Sequence, residues 1–236
     1  MLPDNRQMTI WRYMDRYKFK DMLEKQALYL CRADKLQDKF EGTYSRAQLL
    51  DSNCWLSSKG YDNLIDSEAK SRKINRKCFY INSWCRAKHD YDLMWKAYTT
   101  DAFGVAIQSR IYRLEAICDS AWKDIGNGFL DVSLVEYFEH TEGGFINYGG
   151  DDFGAVIHKD CHFKLDNEIR IICTQHIKPQ PESIPLPVNL SDLIERLVLS
   201  PGATDKDAKT IRQLLNDCGL RNVPVELSQN NRDRYH

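Results

Sequence analysis

Apolar residues along this chain gather in short runs that predict strands, and the segments between the runs show helical spacing. The first unit of this kind is a strand at residues 9–13, a helix at 17–26 and a second strand at 27–31. The helix is predicted because its apolar residues fall on one face, at intervals of three and four. A strand, a helix and a strand in this order indicate an α+β or α/β arrangement.

The same patterns predict further elements along the chain. Strands are predicted at residues 78–84, 104–107, 132–138, 169–174 and 197–199. Helices are predicted at residues 45–77, 90–98, 191–196 and 205–217, and Gly219 is a C-cap signal for the last of these. Prolines between residues 179 and 187 predict a linker that interrupts regular structure.

These elements predict the α+β fold class, with a mixed β-sheet core, flanking helices and a C-terminal strand-helix appendage. The chain has 236 residues, and one domain of this size can bury about 70–75% of the surface of the unfolded chain. We expect a single domain over residues 1–236, whose sub-units are a core at 9–178 and the appendage at 189–228. Two tightly coupled lobes are the alternative.

Composition and charge exclude few classes of function. Hydrophobic residues make up 42% and charged residues 28% of the chain, which is ordinary for a soluble globular protein. The net charge is −1, from 33 basic and 34 acidic residues, so charge alone does not indicate non-specific nucleic-acid binding. A basic run at residues 70–77 predicts a solvated helix or loop face. No run of about 20 apolar residues occurs, and no membrane partner is expected.

The 8 cysteines include no Cys-x-x-Cys pair. Residues 1–6 have no apolar core of the signal-peptide type. We therefore expect a reducing compartment and a cytoplasmic location, in which most cysteines are small buried hydrophobic residues.

Three short clusters place charged groups beside strand-forming residues, at positions 11–13, 38–42 and 166–170. In the third cluster, Glu168 and Arg170 share one face of the predicted strand, because side chains two apart in a strand point the same way. The residues that follow, 171–173, are apolar on both faces, as in a buried strand. A carboxylate and a guanidinium at the start of a buried strand form a polar site on a rigid element.

Further motifs extend these clusters, at residues 28–34, 94–98, 104–107, 163 and 199–201. With them the chain resembles the bacterial domain-of-unknown-function family 2971, from about residue 11 to about residue 228. It departs from the usual pattern at Lys39, where a proline is common. The family name implies no activity, so function must come from the site.

The layout of that family is itself similar to mono-ADP-ribosyltransferases of the Arg-Ser-Glu type. The resemblance implies that Arg12 holds the dinucleotide NAD, that Ser83 braces the site, and that Glu168 contacts the nicotinamide ribose and stabilises an oxocarbenium-like transition state. Asp166, two positions before Glu168, resembles the acidic residue that orients the acceptor.

The chemistry of these residue types agrees with the resemblance. Breaking a glycosidic bond to a cationic leaving group needs a carboxylate near the developing positive charge, and an arginine fork suits a pyrophosphate. Aromatic residues would stack on a ring. We expect the catalytic residues to be Glu168, Asp166 and Ser83, and the cofactor-binding residues to be Arg12, Tyr13, Trp95 and Tyr98.

The expected function is NAD-dependent transfer of ADP-ribose to a nucleic acid or a protein, with NAD as a substrate. By analogy alone, the chain would be a toxin or a phage-defence effector, and an inhibitory protein partner is expected on the same ground. The acceptor is not readable from the sequence.

Each site residue also has a structural interpretation. Arg12 would pair with an acid of the 38–42 cluster and fix that loop, and Arg170 would pair with Glu168 at a strand edge. Trp95 lies at helical spacing from other aromatic residues and is more often a core residue than a ligand platform.

Two other classes of function stay open. A metal-dependent nuclease would use Asp152 or Asp160 together with Glu168 and Arg170, but arginine cannot replace a proton-transferring lysine because it stays charged. A non-enzymatic binding module would use the acidic and arginine groups to recognise a partner.

A zinc site is the weakest of the patterns. His158 and His162 are four residues apart with Cys161 between them, but the strand that follows argues against a long helix there. No metal is therefore expected.

Overall fold

The computed structural model describes residues 5–36, 38, 41–100, 103–124, 128–139, 153–176 and 178–229. Its strands are β1 (Thr9–Asp15), β2 (Ala27–Arg32), β3 (Phe79–Arg86), β4 (Gly104–Arg110), β5 (Phe129–Leu134), β6 (Glu136–Phe138), β7 (His158–Asp160), β8 (Glu168–Thr174), β9 (Ser183–Pro187), β10 (Arg196–Leu199) and β11 (Val225–Leu227).

Its α-helices are α1 (Arg16–Lys25), α2 (Arg46–Ser58), α3 (Ile65–Asn75), α4 (Asp92–Tyr98), α5 (Ile111–Ala121), α6 (Phe153–Ile157), α7 (Leu190–Leu193) and α8 (Asp205–Asp217). Short 3-10 helices span Ala33–Lys35, Asp62–Leu64, Arg76–Cys78, Trp122–Asp124 and Cys161–Asp166.

The chain divides into two compact units. The first unit comprises residues 30–82 and 122–184, and the second comprises residues 2–29, 83–121 and 185–236. Strand β3 therefore contributes its first four residues to one unit and its last four to the other.

In the first unit, β8 is the strand that positions the candidate chemistry. It pairs antiparallel with β5, with Ile169 opposite Leu134 at one end and Thr174 opposite Phe129 at the other. It also pairs with β3. A separate two-stranded sheet is formed by β6 and β7, which run parallel. One buried apolar cluster of this unit contains Ala33, Phe79, Ile81, Val156, Ile157 and Ile172.

In the second unit, the strand order is β11-β10-β4-β1. Strands β1 and β10 each pair antiparallel with β4, whereas β10 and β11 are parallel, so the sheet is mixed. Helices α1 and α4 pack against β1, α5 packs against β4, and α8 packs against β11. A buried apolar cluster of this unit contains Trp11, Tyr13, Cys85, Met94, Trp95, Ala106 and Val198.

Local sequence signals account for the helix ends. Helix α1 buries Phe19, Met22 and Leu23, the apolar face that its spacing predicts. Helix α8 begins with a capping box in which Thr204 Oγ1 accepts from the backbone N–H of Asp207 and the Asp207 carboxylate accepts from the N–H of Thr204. These reciprocal bonds satisfy N–H groups that have no partner inside the helix.

The predicted α+β class is confirmed: the chain has a mixed sheet flanked by helices. The C-terminal segment continues the sheet of its unit, because β10 is hydrogen-bonded along β4. None of the helices in the described ranges combines the length and the apolar character that a membrane crossing needs.

The predicted linker between residues 179 and 187 is wrong in part, because β9 lies within it. Ile184 and Leu186 are buried, whereas Pro185 and Pro187 are exposed, so this stretch alternates like a strand in spite of its prolines. Strand β9 lies at the end of the strand order, and an edge strand tolerates proline because some of its N–H positions have no strand partner.

Other elements also differ from the predictions. The helix predicted at 45–77 is two helices, because Gly60 adopts a left-handed conformation with φ of 73° and ends the first one. The strand predicted at 132–138 is divided into β5 and β6. Helix α5 was not predicted, although Ile111, Leu114 and Ile117 form its buried face.

Candidate functional site

Five charged side chains of the first unit form one buried group, which we name the ion cluster: Glu41, Lys159, Asp166, Glu168 and Arg170. Arg170 lies in β8, between β5 and β3, and its side chain has no solvent exposure. A charge in such a place is costly unless it is paired and hydrogen-bonded. Arg170 therefore requires counter-charges and hydrogen-bond acceptors, and the ion cluster supplies them.

Each nitrogen of the Arg170 guanidinium has an acceptor. Nε donates to Oε2 of Glu168 at 2.8 Å, and Nη2 donates to Oε1 of Glu41 at 2.7 Å. Nη1 donates to the carbonyl oxygen of Val156 at 2.7 Å. The strand that carries Arg170 is thus tied to two other segments of its unit, those that hold Glu41 and Val156.

Lys159 is the second cation of the ion cluster. Its Nζ lies 2.6 Å from Oε1 of Glu168 and 2.8 Å from Oδ2 of Asp166, and it is 4.5 Å from the centre of the Phe163 ring. Both oxygens of Glu168 therefore contact a cation, Oε1 through Lys159 and Oε2 through Arg170.

These contacts set the protonation of Glu168. Burial alone would raise the pKa of this carboxyl, but Arg170 and Lys159 outweigh burial and lower it from 4.5 to about 2. Burial raises the pKa of Asp166, and the nearby Lys159 offsets only part of that change. Glu168 is consequently a fixed anion near neutral pH and not a proton donor.

Glu41 is the exceptional member of the ion cluster. Its side chain is 4% exposed, its Oε1 is bound by Arg170, and its buried Oε2 has no hydrogen-bond partner among the described residues. Burial raises its pKa, although the Arg170 guanidinium acts in the opposite direction. Three carboxylates face two cations, so one negative charge is in excess when all are ionised.

A pocket of about 630 Å³ lies in the second unit, where β1, α1 and the start of β2 meet, and we name it the Arg12 pocket. Its lining residues are Arg12, Met14, Tyr17, Lys18, Lys20, Asp21, Met22, Glu24, Ala27, Leu28 and Tyr29. Arg12 Nη1 donates to the backbone carbonyl of Ser83 at 2.6 Å, which orients the guanidinium. The pocket combines cations, two tyrosines and an apolar floor.

The two carboxylates of the Arg12 pocket have lysine partners on the same helix. Asp21 lies 2.7 Å from Lys25, and Glu24 lies 3.5 Å from Lys20. The remaining basic lining residue of the helix, Lys18, lies 3.9 Å from Asp15 and 5.6 Å from the centre of the Tyr17 ring. The balance of charge that faces the pocket is therefore positive.

Two of the expected cofactor-binding aromatics are core residues. The rings of Tyr13 and Trp95 meet edge to face, with centroids 4.8 Å apart, and both residues are buried. Tyr13 Oη accepts from the backbone N–H of Tyr91, and Trp95 Nε1 donates to Asp90. Tyr98 is 43% exposed. Trp95 therefore lies in the core, the position that its structural interpretation expects.

The structure brings together part of the predicted site. Arg12 contacts the backbone of Ser83, and Asp166 and Glu168 share Lys159. The predicted pairing of Glu168 with Arg170 is confirmed, although the pair is buried and not at an exposed edge.

Glu41 of the loop interpretation and Asp160 of the nuclease interpretation both have partners within the first unit. Glu41, expected as a partner of Arg12, binds Arg170. Asp152 and Lys39 lie outside the described residues. Asp160 is used as a cap, because its carboxylate accepts from the backbone N–H of His162 at 2.9 Å.

Sequence reasoning missed Lys159 and the two tyrosines of the Arg12 pocket. Lys159 lies in the three-residue strand β7, opposite Tyr137 of β6. A strand this short shows no periodicity, so no local signal marks its side chain as buried. Tyr17 lies in the first turn of α1 and Tyr29 lies in β2, and no local spacing shows that both line one pocket.

Comparison with known proteins adds no assignment: no family model matches the chain, and neither curated proteins nor solved structures include a match. The resemblance to family 2971 and the transferase layout therefore stay predictions, and the site must be judged from its own geometry.

Glu168→Gln is expected to lower the free energy of unfolding by about 1–3 kcal/mol, because it removes the charge that Arg170 and Lys159 share in a buried place. Chemical denaturation of both proteins measures the difference. Glu182→Gln is the matched control, because Glu182 pairs with Lys35 on the surface and should change the stability by less than about 1 kcal/mol. Equal effects of the two changes would contradict the assignment.

The stabilising effect of Glu168 should depend on pH. The pKa of this carboxyl is about 2 in the folded protein, against an ordinary value of 4.5. Its contribution is fully present above about pH 4.5 and is lost as the pH falls towards 2. The difference in stability between the wild-type protein and Glu168→Gln should therefore shrink over this range. A difference that stays constant down to about pH 2 would contradict the ionised buried pair.

Proposed function

We propose that this chain binds a pyrophosphate-containing nucleotide, NAD in the first place, in the Arg12 pocket. The observation that carries the proposal is the oriented guanidinium of Arg12 at a pocket with an apolar floor and two tyrosines. A planar guanidinium matches a phosphate with two parallel hydrogen bonds. The apolar floor and the tyrosines suit the rings of the same ligand.

The size and lining of the Arg12 pocket support this ligand class. Small-molecule sites occupy about 300–1,000 Å³ and combine apolar walls with a few polar groups, and this pocket has about 630 Å³. Met22, Ala27 and Leu28 are buried and form apolar wall, while Tyr17 is 59% exposed and accessible for stacking. Lys18 adds a second positive charge for a diphosphate.

The position of Arg12 on a strand supports a role for its guanidinium in binding an anion. Arg12 lies in β1, which pairs with β4 along its whole length, so its backbone is fixed by the sheet. Its bond to the Ser83 carbonyl then limits the side-chain rotamers. A preorganised arginine loses less side-chain entropy when an anion binds than a mobile one does.

ADP-ribosyl transfer from NAD to a nucleic acid or a protein is the second candidate. Glu168 favours it in one respect, because an ionised carboxylate is the form that stabilises developing positive charge. Both oxygens of Glu168 are held by Lys159 and Arg170, so this reaction requires one of those bonds to be exchanged for a bond to the ribose. A metal-dependent nuclease is less well supported, because the same two cations occupy the carboxylate that would bind the metal ion.

Arg12→Lys is expected to weaken the binding of NAD by about tenfold, because a point charge replaces a bidentate fork. Isothermal titration calorimetry measures the affinity, and thermal melts check that the fold is retained. Arg6→Lys is the control, since Arg6 is an exposed arginine of the same unit that pairs with Glu115 and does not line the pocket. The proposal is wrong if the wild-type protein does not bind NAD, or if Arg12→Lys binds it equally well.

Transfer is tested by incubating the protein with NAD labelled in its adenylate part and with cell extract. A labelled acceptor is expected if the second candidate is correct, and Glu168→Gln should lower the rate by about 10²–10³. The assay is run below the melting temperature of the variant, with its folded state checked by circular dichroism. Binding of NAD without its consumption would reject transfer and leave the binding proposal standing.

A further inference from the structure

Three consecutive residues at the end of β7 bring different metal-binding groups together. Asp160, Cys161 and His162 each offer a ligand atom, and these atoms lie within 4.8 Å of one another. The set consists of a carboxylate oxygen, a thiol sulfur and an imidazole nitrogen. It belongs neither to the ion cluster nor to the Arg12 pocket.

The spacing of the three groups is close to that of ligands around one metal ion. Bonds of about 2.0–2.3 Å in a tetrahedral zinc site place the ligand atoms roughly 3.3–3.8 Å apart. Small side-chain rotations would bring three atoms from within 4.8 Å to that separation.

The backbone explains why these side chains converge. Strand β7 ends at Asp160, and a 3-10 helix begins at Cys161, so the chain turns between the first and the second ligand group. The Asp160 carboxylate caps this helix by accepting from the backbone N–H of His162, and it also contacts the His162 ring through Nδ1. The turn therefore holds the carboxylate and the imidazole side by side.

The neighbouring strand offers a fourth group. Phe138 of β6 pairs with Asp160, and Glu139 follows it in the chain. Both strands end at this pair, so Glu139 leaves β6 at the level where β7 turns into the segment of the three groups. Structural zinc sites have four protein ligands, and catalytic sites have three with one open position.

The group is accessible on one side and anchored on the other. The His162 side chain is 85% exposed, whereas that of Asp160 is 15% exposed. Lys159, next to Asp160, faces the ion cluster, because successive side chains of a strand point to opposite sides. A metal ion would thus reach the site from solvent without disturbing the buried charges.

We propose that Asp160, Cys161 and His162 bind a zinc ion, with Glu139 or water as the fourth ligand. The thiol selects against calcium and magnesium, which take oxygen ligands, and the mixed oxygen, nitrogen and sulfur set suits zinc. Binding joins the end of β7 to the 3-10 helix Cys161–Asp166, whose last residue contacts Lys159. The metal ion would therefore fix the segment that delivers Asp166 to the ion cluster.

The test uses the reduced full-length protein after removal of metal ions by a chelator. Cobalt ion, a spectroscopic substitute for zinc, is titrated while the charge-transfer absorption of a cobalt-thiolate bond is recorded. In parallel, iodoacetamide alkylation of each cysteine is followed by peptide mass spectrometry with and without zinc ion. Cys161→Ser, His162→Ala and Asp160→Asn are the site variants, and Cys54→Ser is the control because Cys54 is exposed and outside the group.

Zinc ion is expected to slow alkylation of Cys161 at least tenfold and to leave Cys54 unaffected. His162→Ala and Asp160→Asn should each weaken the protection at least tenfold, and Cys161→Ser should abolish the cobalt-thiolate absorption. Cys54→Ser should behave as the wild-type protein. Equal alkylation of Cys161 with and without zinc ion, or protection that survives both His162→Ala and Asp160→Asn, would overturn the proposal.

Discussion

The buried charge of Arg170 is the constraint on which the first unit depends. A guanidinium stays ionised at every accessible pH, so a chain that buries one must supply a hydrogen-bond acceptor for each of its nitrogens. Here the acceptors come from Glu168 in the same strand, from Glu41 far earlier in the chain and from the Val156 carbonyl. Lys159 adds a second positive charge beside the three carboxylates, and the Glu168 carboxyl is left as a fixed anion.

Local spacing was enough to predict the pairing at the centre of this arrangement. Glu168 and Arg170 are two residues apart in a strand, and the apolar run after them indicates burial on both faces. The fold class followed from the same kind of pattern. Helix α8 was also predictable, because its capping residues and the glycine after its end are local sequence signals. Arg12 was singled out for its position on the first strand, and the structure adds the pocket around it.

Long-range contacts set the limit of prediction. Nothing near Glu41 shows that its partner is Arg170, because that contact exists only after the sheet has formed. Lys159 lies in a strand too short to show periodicity. In β9, buried Ile184 and Leu186 alternate with exposed residues, as in a strand. The strand was not predicted, because its two prolines are normally a signal against strands. In each case tertiary packing overrides the local preference.

The bond between Glu41 and Arg170 joins residues 129 positions apart. Loss of Glu41 leaves Arg170 Nη2 without its acceptor, and loss of Arg170 leaves the buried Glu41 carboxylate without the donor at 2.7 Å. Natural variation at these two sites should therefore be linked: a lineage that loses the guanidinium is released from keeping the distant glutamate, and one that keeps it is not. Paired substitution at positions 41 and 170 would be the imprint of this contact on the evolutionary history of the chain.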